Sequence, residues 1–234
     1  MALSGSTDYS VNRNQLINAA LRIINVYTEA YTPSAFEVAS ASETLNLMLK
    51  AWQADGLQLT TRKLKSFSLV SGTASYTLGT AGTVVIPRPL RILGITLKKT
   101  SDGTETQLMP MSRTDYHNLS TKASAGLPSQ YMYDPQLTSG VLYFWPVMNT
   151  TGYTAELLYL KPYDDMDSAT DDFEFPVEWM EAIKYGLAAR LADEYALPLN
   201  ERGYLANKAA SMKQQVDGFD VEETSIFLSP ERLY

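Results

Sequence analysis

LNLMLKAWQADGLQLTTRKLKSFSL, residues 45–69, changes its hydrophobic period partway along. Leu45, Met48 and Trp52 recur at intervals of three and four, which stacks them on one face of a helix. Gly56 is placed to stop that helix, because glycine enters the left-handed conformation without a steric penalty. From Ser66 onward the apolar residues fall on every second position, as at Phe67 and Leu69, the mark of a strand with one buried face. Helical spacing thus governs the chain to about residue 57, alternation governs 66–160, and helical spacing returns from Pro176. Two short helical pairs are marginal apart, so the simplest arrangement is one helical bundle with a β domain set into its sequence.

Working outward, a first helix is predicted over 12–28, with the stripe Leu16, Ile17, Ala20, Leu21 and Ile24. A second opens at Thr32-Pro33-Ser34, where Ser34 and Glu37 match a capping box. Short alternating runs follow, punctuated by Ser71-Gly72, Gly79 and the turn Ser101-Asp102-Gly103. Ser112 caps a short predicted helix ending near Leu119, and strands are expected over 130–133, 141–145 and 154–160. Pro176 opens a third long helix carrying Trp179 or Met180, Ile183, Leu187 and Leu191. A fourth, over 200–217, carries Leu205, Ala209, Met212 and Val216. The expected bundle core is Leu16, Leu21, Ile24, Leu45, Met48, Trp52, Ile183, Leu187, Leu191, Leu205 and Met212. The expected fold is α+β: a discontinuous four-helix bundle (1–62 and 164–220) with an inserted antiparallel β-sandwich or barrel (63–163) and an extended C-terminal arm (221–234).

Composition narrows the function classes. The 234 residues are 45% apolar with mixed charge, which suits a folded globular chain. The net charge of −7 argues against a nucleic-acid reader, which gathers Lys and Arg on one face, and leaves open a surface that DNA merely passes. No apolar run approaches the roughly 20 residues of a membrane helix, and the first residues lack the pattern of a signal peptide. With no cysteine there is neither a disulfide framework nor a thiolate metal site.

The chemical inventory is thin. His117 is the single histidine and lies beside Asp115 and Tyr116 in a short helix, so surface chemistry outweighs a triad or a zinc site. The acidic stretch 164–174 lacks the glycine and terminal glutamate of an EF-hand loop and reads as a solvated hinge. Gly72, Gly79 and Gly82 lack the Gly-Lys-Ser/Thr ending of a phosphate loop. Lys98-Lys99 is too short for a nucleic-acid patch. No cofactor is expected. Tyrosines crowd the β region, where sandwich core and amphipathic surface rings outweigh a ligand platform; Tyr131, Tyr133 and Tyr143 are the candidates for a contact surface on which a glycan or cell-surface ligand could bind. A peptidoglycan-cleaving enzyme using Glu174, Glu178 or nearby Asp residues ranks last. In the arm, Ile226, Phe227 and Leu228, with Tyr234 at the end, suit docking on a neighbouring subunit or partner better than a free tail, because that apolar run is costly to leave in water.

Several stretches resemble a known group. LINAALRIINVY (16–27), PSAFE (33–37) and LNLMLKAWQADGL (45–57) are similar to the opening of head-to-tail adaptors of short-tailed bacteriophages, the tail tubular protein A and tail accessory factor family. GLPSQYMY (126–133) and LYFWPV (142–147) resemble the β insertion of the tail tubular branch, and FPVEWMEAIKYGLAARLADEY (175–195) resembles the helix completing the bundle. The resemblance implies a homo-oligomeric ring of twelve copies between the portal protein and the tail nozzle protein. Such a ring extends the DNA channel and helps retain the packaged genome. It also implies a virion protein assembled in the host cytoplasm, with other tail proteins or fibres as further partners and the arm reaching toward the portal. That family offers no catalytic motif to carry over.

Overall fold

The computed structural model describes residues 9–56 and 61–218. The chain divides into two compact units, one from 1–57 with 165–234 and one from 58–164.

The first unit is helical. Helix α1, Arg13–Ile23, begins at Asn12, whose side chain accepts from the Gln15 N–H while Gln15 Oε1 accepts from the Asn12 N–H. It is shorter than the apolar spacing predicts, because Asn25 adopts φ 58 and turns the chain out of the helix. Helix α2, Ala35–Ala54, carries the Ser34–Glu37 capping box, and Gly56 at φ 109 follows its end. After Pro176 a 3-10 turn, Val177–Trp179, leads into α4, Met180–Glu194; α5, Leu199–Asp217, completes the unit. Helix α4 is central, packing against α1, α2 and α5. Leu21, Leu45, Ile183, Leu187 and Leu191 are fully buried there, each stabilising the fold by about 1.5–3 kcal/mol relative to exposure. Leu16, Ile24, Met48, Trp52 and Leu205 are also buried.

Met212 departs from the expected core, being only half-buried. Leu205 is the single buried residue of the whole of α5. The reason lies in the surface beneath: Gly186, Ala189, Ala206, Ala209 and Ala210 line a shallow groove between α4 and α5. Small residues bring the helices together without engulfing the larger side chains at their margin.

The stretch expected as a hinge is instead a strap on this unit. Its backbone carbonyls at Asp171 and Ala169 accept from the N–H groups of Arg13 and Asn14, two donors that the first turn of α1 leaves without an intrahelical partner. Arg13 Nη1 donates to the carbonyls of Met166 and Asp167, both at 3.0 Å. Met166 is buried, its N–H donating to Asn46 Oδ1 and its carbonyl accepting from Ser42 Oγ. The acids of this stretch conceal its anchoring, which is carried by backbone atoms.

The second unit is a mixed sheet of eight strands. They are β1 (Arg62–Ser68), β2 (Ser75–Gly79), β3 (Val84–Val85), β4 (Arg91–Lys99), β5 (Glu105–Pro110), β7 (Gln130–Pro135), β8 (Gly140–Trp145) and β10 (Tyr153–Leu160), in the order β1-β10-β4-β5-β7-β8-β2-β3. Two-residue strands β6 (Ala125–Gly126) and β9 (Val147–Met148) form a separate parallel pair. The expectation of a wholly antiparallel sheet is corrected at two places, since β5 runs parallel to β7 and β3 parallel to β2. The chain between β5 and β7 passes through the short helix α3, Arg113–Asn118, long enough to reverse direction twice. The sheet curls into a nearly closed barrel: Phe67 on edge strand β1 packs its ring 5.2 Å from Tyr76 on β2, near the opposite edge. Tyr76, Leu78, Ile95, Leu97, Leu142, Phe144 and Leu157 fill the interior.

Candidate functional site

Titratable groups meet at the surface, as where Lys98 pairs with Glu105 and Glu156 and where the Tyr31 hydroxyl donates to Glu37. His117 is exposed on α3, with Tyr116 as its aromatic neighbour at 6.2 Å. No group of three His, Cys, Asp or Glu side chains able to hold a metal occurs among the described residues. Glu178 is exposed in the 3-10 turn before α4. In the strap, Asp171 accepts from the Ser168 N–H and Asp165 pairs with Lys50, so these carboxylates serve local structure. No helix among the described residues is long and apolar enough to cross a membrane.

The tyrosines considered as a candidate contact surface divide between the two faces of the sheet. On the β7–β8 ladder Tyr131 opposes Phe144 and Tyr133 opposes Leu142, which puts both tyrosines on the core face. Tyr131 is only 5% exposed. Tyr133 is half-buried; its hydroxyl donates to the Pro89 carbonyl at 2.6 Å, and burial pushes its phenol up to about 12. Tyr143 points to the other face and is covered by α3, its ring 5.0 Å from that of buried Tyr116. Ser112 caps α3, and Arg113 pairs with Asp134 of β7, fixing the cover. An aromatic platform built on these three side chains is therefore not formed. Alternation along each strand was legible, but which parity faced inward depended on pairing across the barrel.

What the two units offer instead is surface. On α2, Phe36 and Leu47 stand outward three turns apart, 81% and 68% exposed, although the opposite face of the same helix is fully buried. On α5, Leu199 and Tyr204 are also exposed. Within the helical unit Lys213 spans the groove edge, its ammonium 5.6 Å from the Trp52 ring and 3.7 Å from Asp55. On the barrel, Leu64 of β1 and Leu158 of β10 are exposed directly opposite each other. The basic edge of β1, Arg62, Lys63 and Lys65, is a feature the sequence reading passed over; its signal was an R-K-x-K run in period with Leu64. The arm residues Ile226, Phe227, Leu228 and Tyr234 lie outside the described residues.

Exposed apolar side chains recur on both units, a feature that suits assembly. A family model described as SU10 adaptor protein matches residues 11–225. No curated protein matches the chain. Among solved structures, a chain from the neck of an empty GTA particle computed with C6 symmetry is similar at 13% identity, over 78% of this chain and 82% of that one, with a TM-score of 0.27. With a match that begins before α1 and runs beyond α5, through both units, the chain belongs to the SU10 adaptor protein family of phage head-to-tail adaptors.

Proposed function

We propose that this adaptor is the connector ring of a podovirus-like virion: twelve copies seated between portal and tail nozzle, extending the DNA channel and helping to retain packaged DNA. The family carries the connector role. The observation that carries the ring is α5, a 19-residue helix with one buried residue. Its outward side, with Leu199 and Tyr204 exposed, is open to further burial. A neighbouring subunit supplies it, with Phe36 and Leu47 of α2 as additional apolar contact. In this reading the helices of a discontinuous four-helix bundle (1–62 and 164–220) build the ring, and the β domain (63–163) faces the tail components. The arm, through Ile226, Phe227, Leu228 and Tyr234, docks on the portal or on a neighbouring copy. With a net charge of −7, the ring passes DNA without gripping it, since phosphate is repelled and no sequence is read. Assembly takes place in the host cytoplasm and the product resides in the virion.

The test is solution mass, with and without the cognate portal. The chain of 26.0 kDa is expected to give a ring of about twelve copies on the portal, and a monomer alone also fits. A chain that stays monomeric in the presence of portal overturns the reading. Removing the residues after Glu223 is expected to leave a folded protein that no longer joins the portal. Normal assembly of that truncated chain removes the arm from the mechanism.

A further inference from the structure

The free edge of β1 has the features of a receptor for one more strand. The Thr61 carbonyl accepts from the Lys161 N–H, and the Leu69 N–H donates to the Tyr153 carbonyl, so odd-numbered residues of β1 turn their backbone groups toward β10. In an antiparallel pair the N–H and C=O of one residue point to the same side. Leu64, Ser66 and Ser68 therefore present theirs to the other side, where no backbone group of the described residues meets them, and all three residues are exposed. Beside that edge lies the outward apolar pair Leu64 and Leu158, 64% and 40% exposed.

Charge indicates what belongs there. The edge carries Arg62, Lys63 and Lys65, and neither lysine has an ion-pair partner among the described residues. Charged edge strands guard sheets against indiscriminate pairing. A guard of one sign repels a second β1 yet accepts an acidic strand. Between Lys213 and Arg232 the chain has no basic residue, only Asp217, Asp220, Glu222, Glu223 and Glu231. The same stretch holds Ile226-Phe227-Leu228, three consecutive apolar residues that present an apolar side chain to each face of a sheet in either register. Pro230 cannot donate to a ladder and ends the stretch. We propose that residues 220–229 of one copy add as a strand to the β1 edge of the next. This deepens the ring reading and rests on it, naming the neighbour's β1 edge as the receptor for the arm.

The chain has no cysteine, so engineered pairs report contacts without background. Full-length chains carrying Ser66→Cys with Ser225→Cys, or Ser66→Cys with Ser229→Cys, are assembled on the portal and oxidised. One of the two pairs, whichever matches the direction of the added strand, is expected to give a covalent ladder of multimers. The control pair Ser101→Cys with Ser225→Cys is expected to give none. Adding Lys63→Glu and Lys65→Glu is expected to abolish the ladder by reversing the edge charge. Rings that form without a ladder above the control overturn the strand and leave the ring standing. Crosslinks confined within single chains overturn the proposal in the same way. A ladder that survives the charge reversal overturns the electrostatic selection, and failure to form rings at all overturns the ring reading with it.

Discussion

Gly140 lies so close to Tyr133 that a Cβ built on it would come within 2.3 Å of the ring. The missing side chain is what lets the phenol lie across β8 and reach the Pro89 carbonyl. Gly140→Ala is therefore expected to destabilise the protein by about 1–3 kcal/mol, read as a fall in the denaturant midpoint. Tyr133 itself gives a pH signature. Its phenol titrates at about 12 in the fold against an ordinary value of 10.0, so the fold favours the neutral form. The stabilisation is complete below pH 10 and is lost as the pH rises through about 12. A denaturation series across that window is expected to show a shallower fall for Tyr133→Phe than for the parent chain. At Gly186 two effects of opposite sign compete. A Cβ there would meet Trp52 Cζ2 at 2.8 Å and Met48 Sδ at 3.0 Å. Alanine gains about 1 kcal/mol in helix propensity over glycine, whereas forcing a methyl into a packed core costs about 1–3 kcal/mol. Packing wins, and Gly186→Ala is expected to lower the thermal midpoint of the helical unit, with Gly186→Val lowering it further.

At the scale of elements, the ends of helices and strands follow local chemistry where a cap is present. Ser34 with Glu37 opens α2 and Ser112 opens α3, each a side-chain acceptor placed on an N–H three residues on. Where an end depends on one residue leaving the allowed helical region, spacing overruns it: α1 stops at Asn25, although Val26 and Tyr27 keep the apolar content high. The two-residue strands β6 and β9 lack the length to show a period at all. The strap is the clearest case of an element hidden from sequence, since its partners are carbonyl oxygens of residues chosen for other reasons. Arg13→Ala is expected to cost about 1–2 kcal/mol through the loss of two charge-assisted bonds to Met166 and Asp167. Amide hydrogen exchange at Arg13 and Asn14 is expected to quicken in that variant as the strap loosens. Unchanged protection at both amides counts against the clamp.

For the whole molecule the decisive quantity is apolar surface left over after each unit has closed its own core. Phe36 and Leu47 are mostly exposed in the single chain, so Phe36→Ser with Leu47→Ser is expected to shift monomer stability by no more than about 0.5 kcal/mol. The same pair is expected to lower the fraction of chains that assemble on the portal, measured by mass at fixed concentration. Full assembly of this variant would exclude the outward face of α2 as a subunit contact. The double change of hydrophobic period and the Ser34–Glu37 capping box were legible in the sequence, because each depends on residues within a few positions of one another. The family likeness was legible for the same reason, carried by contiguous stretches of helix and strand. Which tyrosines face the barrel interior, that β5 and β7 run parallel, that Met212 stays at the margin of α5 and that the acidic stretch straps α1 were decided only in the tertiary structure. Each of these turns on partners far apart in sequence, whose meeting is set by strand order and helix packing rather than by any local pattern.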